Sequence, residues 1–332
     1  MSIYFHLCLP NIQINMSFKT DQNERLVIVN PNAGNGKGRK EWDRISVLIK
    51  KAGLLFTAKF TERKGHAIEI TLEAISAGFR KIVIVGGDGT LNEAVNGVVT
   101  NTVCAPTDIT LALIPVGTGN DWGKMFGIST DYEKAVRIVS ENKTLLHDVG
   151  IVSFYNGAEK FNRYFINISG LGFESVVVKK TNLQKDRGQG GKLIYFYNLL
   201  TSLLAYKNTK AEIIIDGEII HADLFSLNVG NGRYCGGGMR QTPRAIPDDG
   251  LLDVTIINGM GKFEIIRNLN ILYNGTILRH PKIDGYKCKN IKVTSESEMF
   301  IEADGESLGQ TPAEFNIIAD AIRIVYGTRI IP

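Results

Sequence analysis

Residues 82–93 constrain the fold more than any other stretch of the chain. A run of branched aliphatic residues, Ile82, Val83, Ile84 and Val85, stops at Gly86, Gly87, Asp88, Gly89 and Thr90, after which Leu91, Asn92 and Glu93 open a helical pattern. This reads as a buried strand, a glycine turn and a helix N-terminus. Glycines let the backbone approach a bulky anion, and the free N–H groups and dipole of a first helical turn favour phosphate. Asp88 sits among these donors, where a carboxylate would repel phosphate unless a divalent cation stood between them. The segment therefore predicts a site for nucleotide phosphates.

The flanking sequence repeats the same alternation. Residues 26–29 predict a first strand, and Trp42, Ile45, Leu48, Ile49 and Ala52 mark one helical face that stops at Gly53. Residues 54–60 give a second strand, Ile68, Leu72, Ile75 and Phe79 a second helix, and residues 82–85 the third strand. Leu91, Ala94, Val95 and Val98 recur at helical spacing, residues 109–114 form a fourth strand, and Tyr132, Ala135, Val136 and Val139 a further helix. Such repetition predicts a doubly wound parallel sheet, α/β in class, with ligands bound beyond the carboxyl ends of its strands. Two further glycine-rich loops fall at those ends: residues 30–38, from Asn30 and Pro31, and residues 115–121, with Gly117, Thr118, Gly119, Asn120 and Asp121.

Beyond about residue 145 strands predominate. They are expected at residues 161–168, 212–215, 218–221, 224–229, 251–257, 291–294 and 299–303, with Asp216 and Gly217 as a hairpin turn in which both residues tolerate positive φ. The expectation is a second domain, an antiparallel β-sandwich. The domain division is residues 1–22 as an extension, 23–145 as a nucleotide-binding domain and 146–332 as the sandwich, with residues 321–326 free to pair in either half.

Composition narrows the function. The 332 residues carry a net charge of +4 and 44% hydrophobic residues, enough for two buried cores. No long basic block accompanies that charge, so nucleic acid is not expected as a partner. The four cysteines and five histidines are scattered without metal-ligand spacing, which fits reduced thiols in the cytoplasm. The apolar stretch at residues 193–206 falls short of the roughly 20 residues a spanning helix needs. Its apolar residues nearly encircle the helix, so core packing is expected, although Lys179, Lys180, Lys185, Arg187, Lys192, Lys207 and Lys210 would also suit peripheral contact with an anionic membrane surface. Residues 1–24 lack the pattern of a secretory signal, and initiation at Met16 is expected to remove nothing the fold requires.

The loops lack the P-loop order and a strict G-x-G-x-x-G, so neither of the two commonest nucleotide fingerprints is present. Their own order, Asn30-Pro-x-x-Gly34, Gly86-Gly-Asp-Gly-Thr90 and Pro115-x-Gly-Thr-Gly-Asn-Asp121, resembles the catalytic domain of the diacylglycerol kinase and bacterial lipid kinase family. Gly170-Leu-Gly-Phe173, Gly236-Gly-Gly238, Pro247-Asp-Asp-Gly-Leu-Leu-Asp253 and Asp304-Gly-Glu306 are similar to that family's later landmarks, so the resemblance spans about residues 23–326.

The resemblance implies ATP contacts at Asn30, Pro31, Gly34, Thr61, Gly87, Asp88, Gly89, Thr90, Asn92, Glu93 and Thr118. It implies phosphate-bound magnesium at Asp88 and Asp121, and a structural magnesium at Asp249 with backbone oxygens near Ile246 and Leu251. Glu306 and Asp304 match a catalytic acid pair, joined by Asp88. Ala33 stands where the family often has Ser, and His66 where an acid is common. The implied activity is an ATP- and magnesium-dependent lipid kinase acting on a hydroxyl of a lipid such as diacylglycerol. A homodimer is one candidate assembly. The alternatives are an NAD kinase, which shares the glycine-Asp loop, and a catalytically silent nucleotide or lipid sensor.

Overall fold

The computed structural model describes residues 23–186 and 192–328. The extension expected over residues 1–22, with Cys8 and Met16, lies outside them, as do Arg187 and residues 329–332. The first half alternates as the sequence predicts: β1 (Arg25–Val29), α1 (Ala33–Lys51), β2 (Phe56–Phe60), α2 (His66–Ser76), β3 (Lys81–Gly86), α3 (Asp88–Thr100), β4 (Thr110–Pro115), α4 (Asp121–Met125) and α5 (Tyr132–Glu141). The strands pair in parallel in the order β4-β3-β1-β2. Successive side chains of a strand face opposite ways, which explains why these apolar runs are unbroken. Leu26, Ile28, Ile82 and Ile84 pack with Ile70 of α2 and Leu91 and Val95 of α3. Val27, Val29, Val83 and Val85 pack on the other face with Ile45 of α1 and Val136 of α5.

The second half runs β5 (Thr144–Asn156), β6 (Glu159–Phe165), β7 (Ile168–Gly172), α6 (Phe173–Asp186), α7 (Lys192–Ala205), β8 (Thr209–Ile215), β9 (Glu218–Gly230), β10 (Leu252–Asn258), α8 (Lys262–Arg267), α9 (Leu269–Asn274), β11 (Ile283–Cys288), β12 (Asn290–Ser295), β13 (Phe300–Ala303) and β14 (Glu306–Val325). This half is β-rich and antiparallel. Its pairing runs in a closed circuit, β7-β13-β14-β12-β8-β9 and back to β7, around a core that includes Leu171, Ile213, Leu227, Val293, Ile301 and Phe315. The expected hairpin at Asp216 and Gly217 is present, with φ of 45° and 94°.

The run at residues 321–326, which the sequence leaves unplaced, is mostly the end of β14. There Arg323 and Ile324 pair in parallel with Thr110 and Leu111 of β4, while the start of β14 pairs with β13 and β12. One strand thus belongs to both halves and extends the parallel sheet. Several elements differ from expectation, among them β9, expected as two strands and found as one, and α4, α8, α9, β11 and most of β14, which were not anticipated. The single strand expected over residues 161–168 is two, β6 and β7, broken where the N–H groups of Ile166, Asn167 and Ile168 turn to the Asp304 carboxylate. Strand β5 and helix α6 were not anticipated. Helix α7 occupies the apolar stretch as expected, burying Asn198, Ser202 and Leu203 while exposing Tyr197 and Leu204.

Candidate active site

The three glycine loops meet at the carboxyl ends of β1, β3 and β4, at the point where strand order reverses between β1 and β3. Their approach is too close for side chains. A Cβ on Gly34 would lie 2.1 Å from the Val116 carbonyl oxygen, and one on Gly117 would lie 2.7 Å from the Gly87 Cα. Gly34, Asn35 and Gly36 all take positive φ, so the helical conformation of α1 is interrupted at its start and the Asn-Pro loop folds back on itself. Asn30 Nδ2 donates to Thr90 Oγ1 at 2.9 Å and its backbone N–H to the Val85 carbonyl, tying the first loop to the second. Thr118 is exposed at the tip of the third loop. Beside them opens a pocket of about 600 Å³ lined by Pro31, Arg39, Trp42, Phe60 and Thr61.

Asp88 and Asp121 begin α3 and α4 and turn toward one another. A Cβ on Gly119 would lie 3.3 Å from an oxygen of each. Asp88 accepts from the N–H groups of Asp121 and Trp122 at 3.0 and 3.2 Å, while Asp121 accepts from Lys124 Nζ at 2.6 Å and the Gly237 N–H at 2.7 Å. The Asp88 carboxylate is thus packed on the start of α4. Burial, and then the neighbouring Asp121, push the Asp88 carboxyl above its usual range. Two converging carboxylates with only one lysine between them form a donor set that fits a divalent cation.

Asn92 and Glu93 require correction as ATP contacts. Both Glu93 oxygens accept backbone N–H groups at the start of α2, from Gly65 at 2.8 Å and Ala67 at 3.1 Å. The Asn92 amide faces the second half of the chain: Nδ2 donates to Asp304 at 2.7 Å and to the Tyr164 carbonyl, and Oδ1 accepts from Arg163 at 2.8 Å. Asp304, expected as one of two catalytic acids, has both oxygens occupied. It accepts the N–H groups of Ile166, Asn167 and Ile168 at 2.9 to 3.0 Å as well as the Asn92 amide. Burial pushes its carboxyl up to about 6 despite these donors. Its partners identify it as an anchor between the halves. Glu306 differs: it opens β14 and faces Arg163 at 3.0 Å and Lys64 at 3.8 Å.

Helix α3 joins the two ends of the site. Asp88 and Asn92 are one turn apart, about 6 Å along the axis, so the helix that starts at the phosphate loop also holds Arg163 and Asp304. Arg163 and Lys124 carry no motif and were not foreseen. Only the folding of β6 against α3 brings Arg163 to Glu306, 143 positions away.

At the site expected for a structural magnesium, Asp249 accepts from the Leu251 N–H at 3.1 Å and from Lys287 Nζ at 2.6 Å. The Pro247 to Leu251 turn, which Ile246 precedes, is held by another acid that sequence reading missed. Asp148 accepts the N–H groups of Gly250 and Asp320 at 2.7 and 2.8 Å. Among the described residues no three His, Cys, Asp or Glu side chains cluster to hold a metal.

The three loops at the ends of a parallel sheet, joined by one strand to a β-rich half, are matched along the chain by two family models. The diacylglycerol kinase catalytic domain matches residues 24–152 and the YegS C-terminal NAD kinase beta sandwich-like domain residues 168–326. The chain belongs to the diacylglycerol kinase and bacterial lipid kinase family. It is 28% identical to a diacylglycerol kinase of Staphylococcus carnosus, over 87% of this chain and 90% of that one. It is also 28% identical to one of Mycobacterium tuberculosis, over 90% and 93%. A crystal structure of a diacylglycerol kinase from Bacillus anthracis superposes with a TM-score of 0.70 at 25% identity, covering 93% of this chain and 98% of that one.

Proposed function

We propose that this chain transfers the terminal phosphoryl group of ATP to a hydroxyl of a lipid such as diacylglycerol, with magnesium at Asp88 and Asp121. The observation that carries the reading is the meeting of three glycine loops around that carboxylate pair. Backbone N–H groups of the loops take the phosphates, because Ala33 offers no hydroxyl, and the pocket beside Trp42 and Phe60 has room for a nucleoside. Magnesium, when bound, supplies positive charge to the phosphate oxygens. Glu306 orients the acceptor hydroxyl and takes its proton, and Arg163 holds Glu306 in place. Asp304 and Asn92 fix the distance between the acid and the phosphate cradle. NAD kinase is not favoured, since the curated relatives are diacylglycerol kinases.

The test is ADP release by purified protein over a panel of dispersed lipids, with NAD as a further acceptor. Lipid-dependent turnover with no phosphorylation of NAD is expected. Efficient phosphorylation of NAD and no response to any lipid would overturn the reading.

A further inference from the structure

Helix α4 carries Asp121 but has only five residues, too few to hold a helix unaided, and no side chain caps its start. Its place is fixed from outside. Trp122 and Phe126 are buried with ring centroids 4.5 Å apart, and the imidazole of His147 packs on them at 6.0 and 5.4 Å. His147 belongs to β5, where it pairs with Ile322 of the shared strand β14, so it is a firm support. Trp122 Nε1 donates to His147 Nε2 at 3.2 Å. The other ring nitrogen sets the direction of that bond: Nδ1 meets the Asp148 carbonyl, which only accepts, so Nδ1 carries the hydrogen and Nε2 is left as the acceptor.

The same tryptophan touches the carboxylate pair. Asp121 is held from beyond its own backbone, by Lys124 and by the Gly237 N–H of a separate loop. Asp88 is held differently. Both hydrogen bonds to its carboxylate come from α4, through the N–H groups of Asp121 and Trp122. Trp122 thus grips Asp88 with its backbone and His147 with its indole. Any turn of α4 about its axis carries the ring and both N–H groups together, and changes how the two carboxylates face each other. Magnesium tolerates little of this, because it demands nearly ideal octahedral geometry from its oxygens.

We propose that His147 is a positioning residue for the metal pair: by accepting the Trp122 indole N–H it holds α4 at the angle where Asp88 and Asp121 converge, and so sets the affinity for the divalent cation. The proposal rests on the assignment of magnesium to that pair. His147 is 0% exposed, so it reaches neither metal nor substrate and acts only through Trp122. Among the described residues the indole has no other acceptor.

The test reads metal binding apart from catalysis, in the full chain without nucleotide. Manganese is the probe, since it shares magnesium's preference for carboxylate oxygens, and its free ion is counted by paramagnetic resonance while magnesium competes. Asp88→Asn should abolish the binding. His147→Leu should weaken both manganese and magnesium about tenfold, the scale of one lost hydrogen bond. His147→Gln, whose Oε1 stands in for Nε2, should recover most of that loss. Trp122→Phe approaches the same bond from the donor's side and should match His147→Leu, and the double variant should be no weaker than either single one. A lower melting temperature with unchanged metal affinity in His147→Leu or Trp122→Phe would make the contact mere packing and overturn the proposal. Additive losses in the double variant, or no recovery in His147→Gln, would overturn it equally. Manganese binding that survives Asp88→Asn would place the metal elsewhere and remove the assignment on which the inference stands. The expected pattern of metal binding with no turnover of any lipid would leave the inference standing and sink the lipid-kinase reading.

Discussion

Two acids two positions apart, Asp304 and Glu306, show how little a motif says about the work of each residue. In sequence they read as a pair, yet Asp304 accepts three backbone N–H groups and an amide, whereas Glu306 faces the Arg163 guanidinium. Asp304→Asn turns an NH₂ group toward those donors, and should lower stability by about 1–3 kcal/mol, seen as a fall in melting temperature. Glu306→Gln should leave the melting temperature nearly unchanged and reduce turnover about 10²- to 10⁴-fold, with ATP affinity retained. Loss of ATP binding with saturated turnover preserved would remove Glu306 from the role of base. His147 gives a pH dependence. It is fully buried between the Trp122 indole N–H, which donates to Nε2, and the Asp148 carbonyl, which accepts from Nδ1. Burial lowers its pKa from 6.5 to about 4, so its neutral form is the folded form. Its contribution, about 3 kcal/mol, is complete above pH 6.5 and is lost as the pH falls through 4. The melting-temperature difference between wild type and His147→Phe should therefore shrink between pH 7 and pH 4.

At the scale of elements, the first half was legible because β1, β3 and β4 are short apolar runs that end at turn-forming loops, and its longer helices carry apolar residues at helical spacing. The phosphate loops were legible for the same reason: backbone approach demands glycine, and glycine is visible. Gly34→Ala puts a Cβ against the Val116 carbonyl at a φ of 60°, and should abolish ATP binding while lowering the melting temperature. Isothermal titration and a thermal scan check it; wild-type affinity would mean that the loops do not meet as described. The second half hid two long strands, β5 and most of β14. In β5 buried residues run consecutively, so alternation is lost. In β14, Gly309, Pro312 and two register shifts break the pattern of a strand that exchanges partners along its length. Asn92 and Glu93 were misread because helical residues next to a phosphate loop look like ligands, whereas their bonds go to groups far away in sequence. Arg163 is the reciprocal case, a side chain whose partners Asn92 and Glu306 meet it only after folding.

The whole molecule is more continuous than a division at residue 145 implies. Strand β14 pairs with β4 of the first half and with β5, β12 and β13 of the second, and α3 bonds through Asn92 to Tyr164, Arg163 and Asp304. Neither half can lose its structure without stripping partners from the shared strand and leaving buried donors bare. A thermal scan should therefore give one cooperative transition for both halves. Nucleotide contacts only the first half in the proposed reaction, so it offers a clean probe of that coupling. ATP with magnesium at about 100 times its Kd stabilises the bound state by about 2.7 kcal/mol, and should move the single transition upward as a unit. Two separate transitions, of which ATP shifts only one, would show that β14 and α3 do not bind the halves into one folding unit.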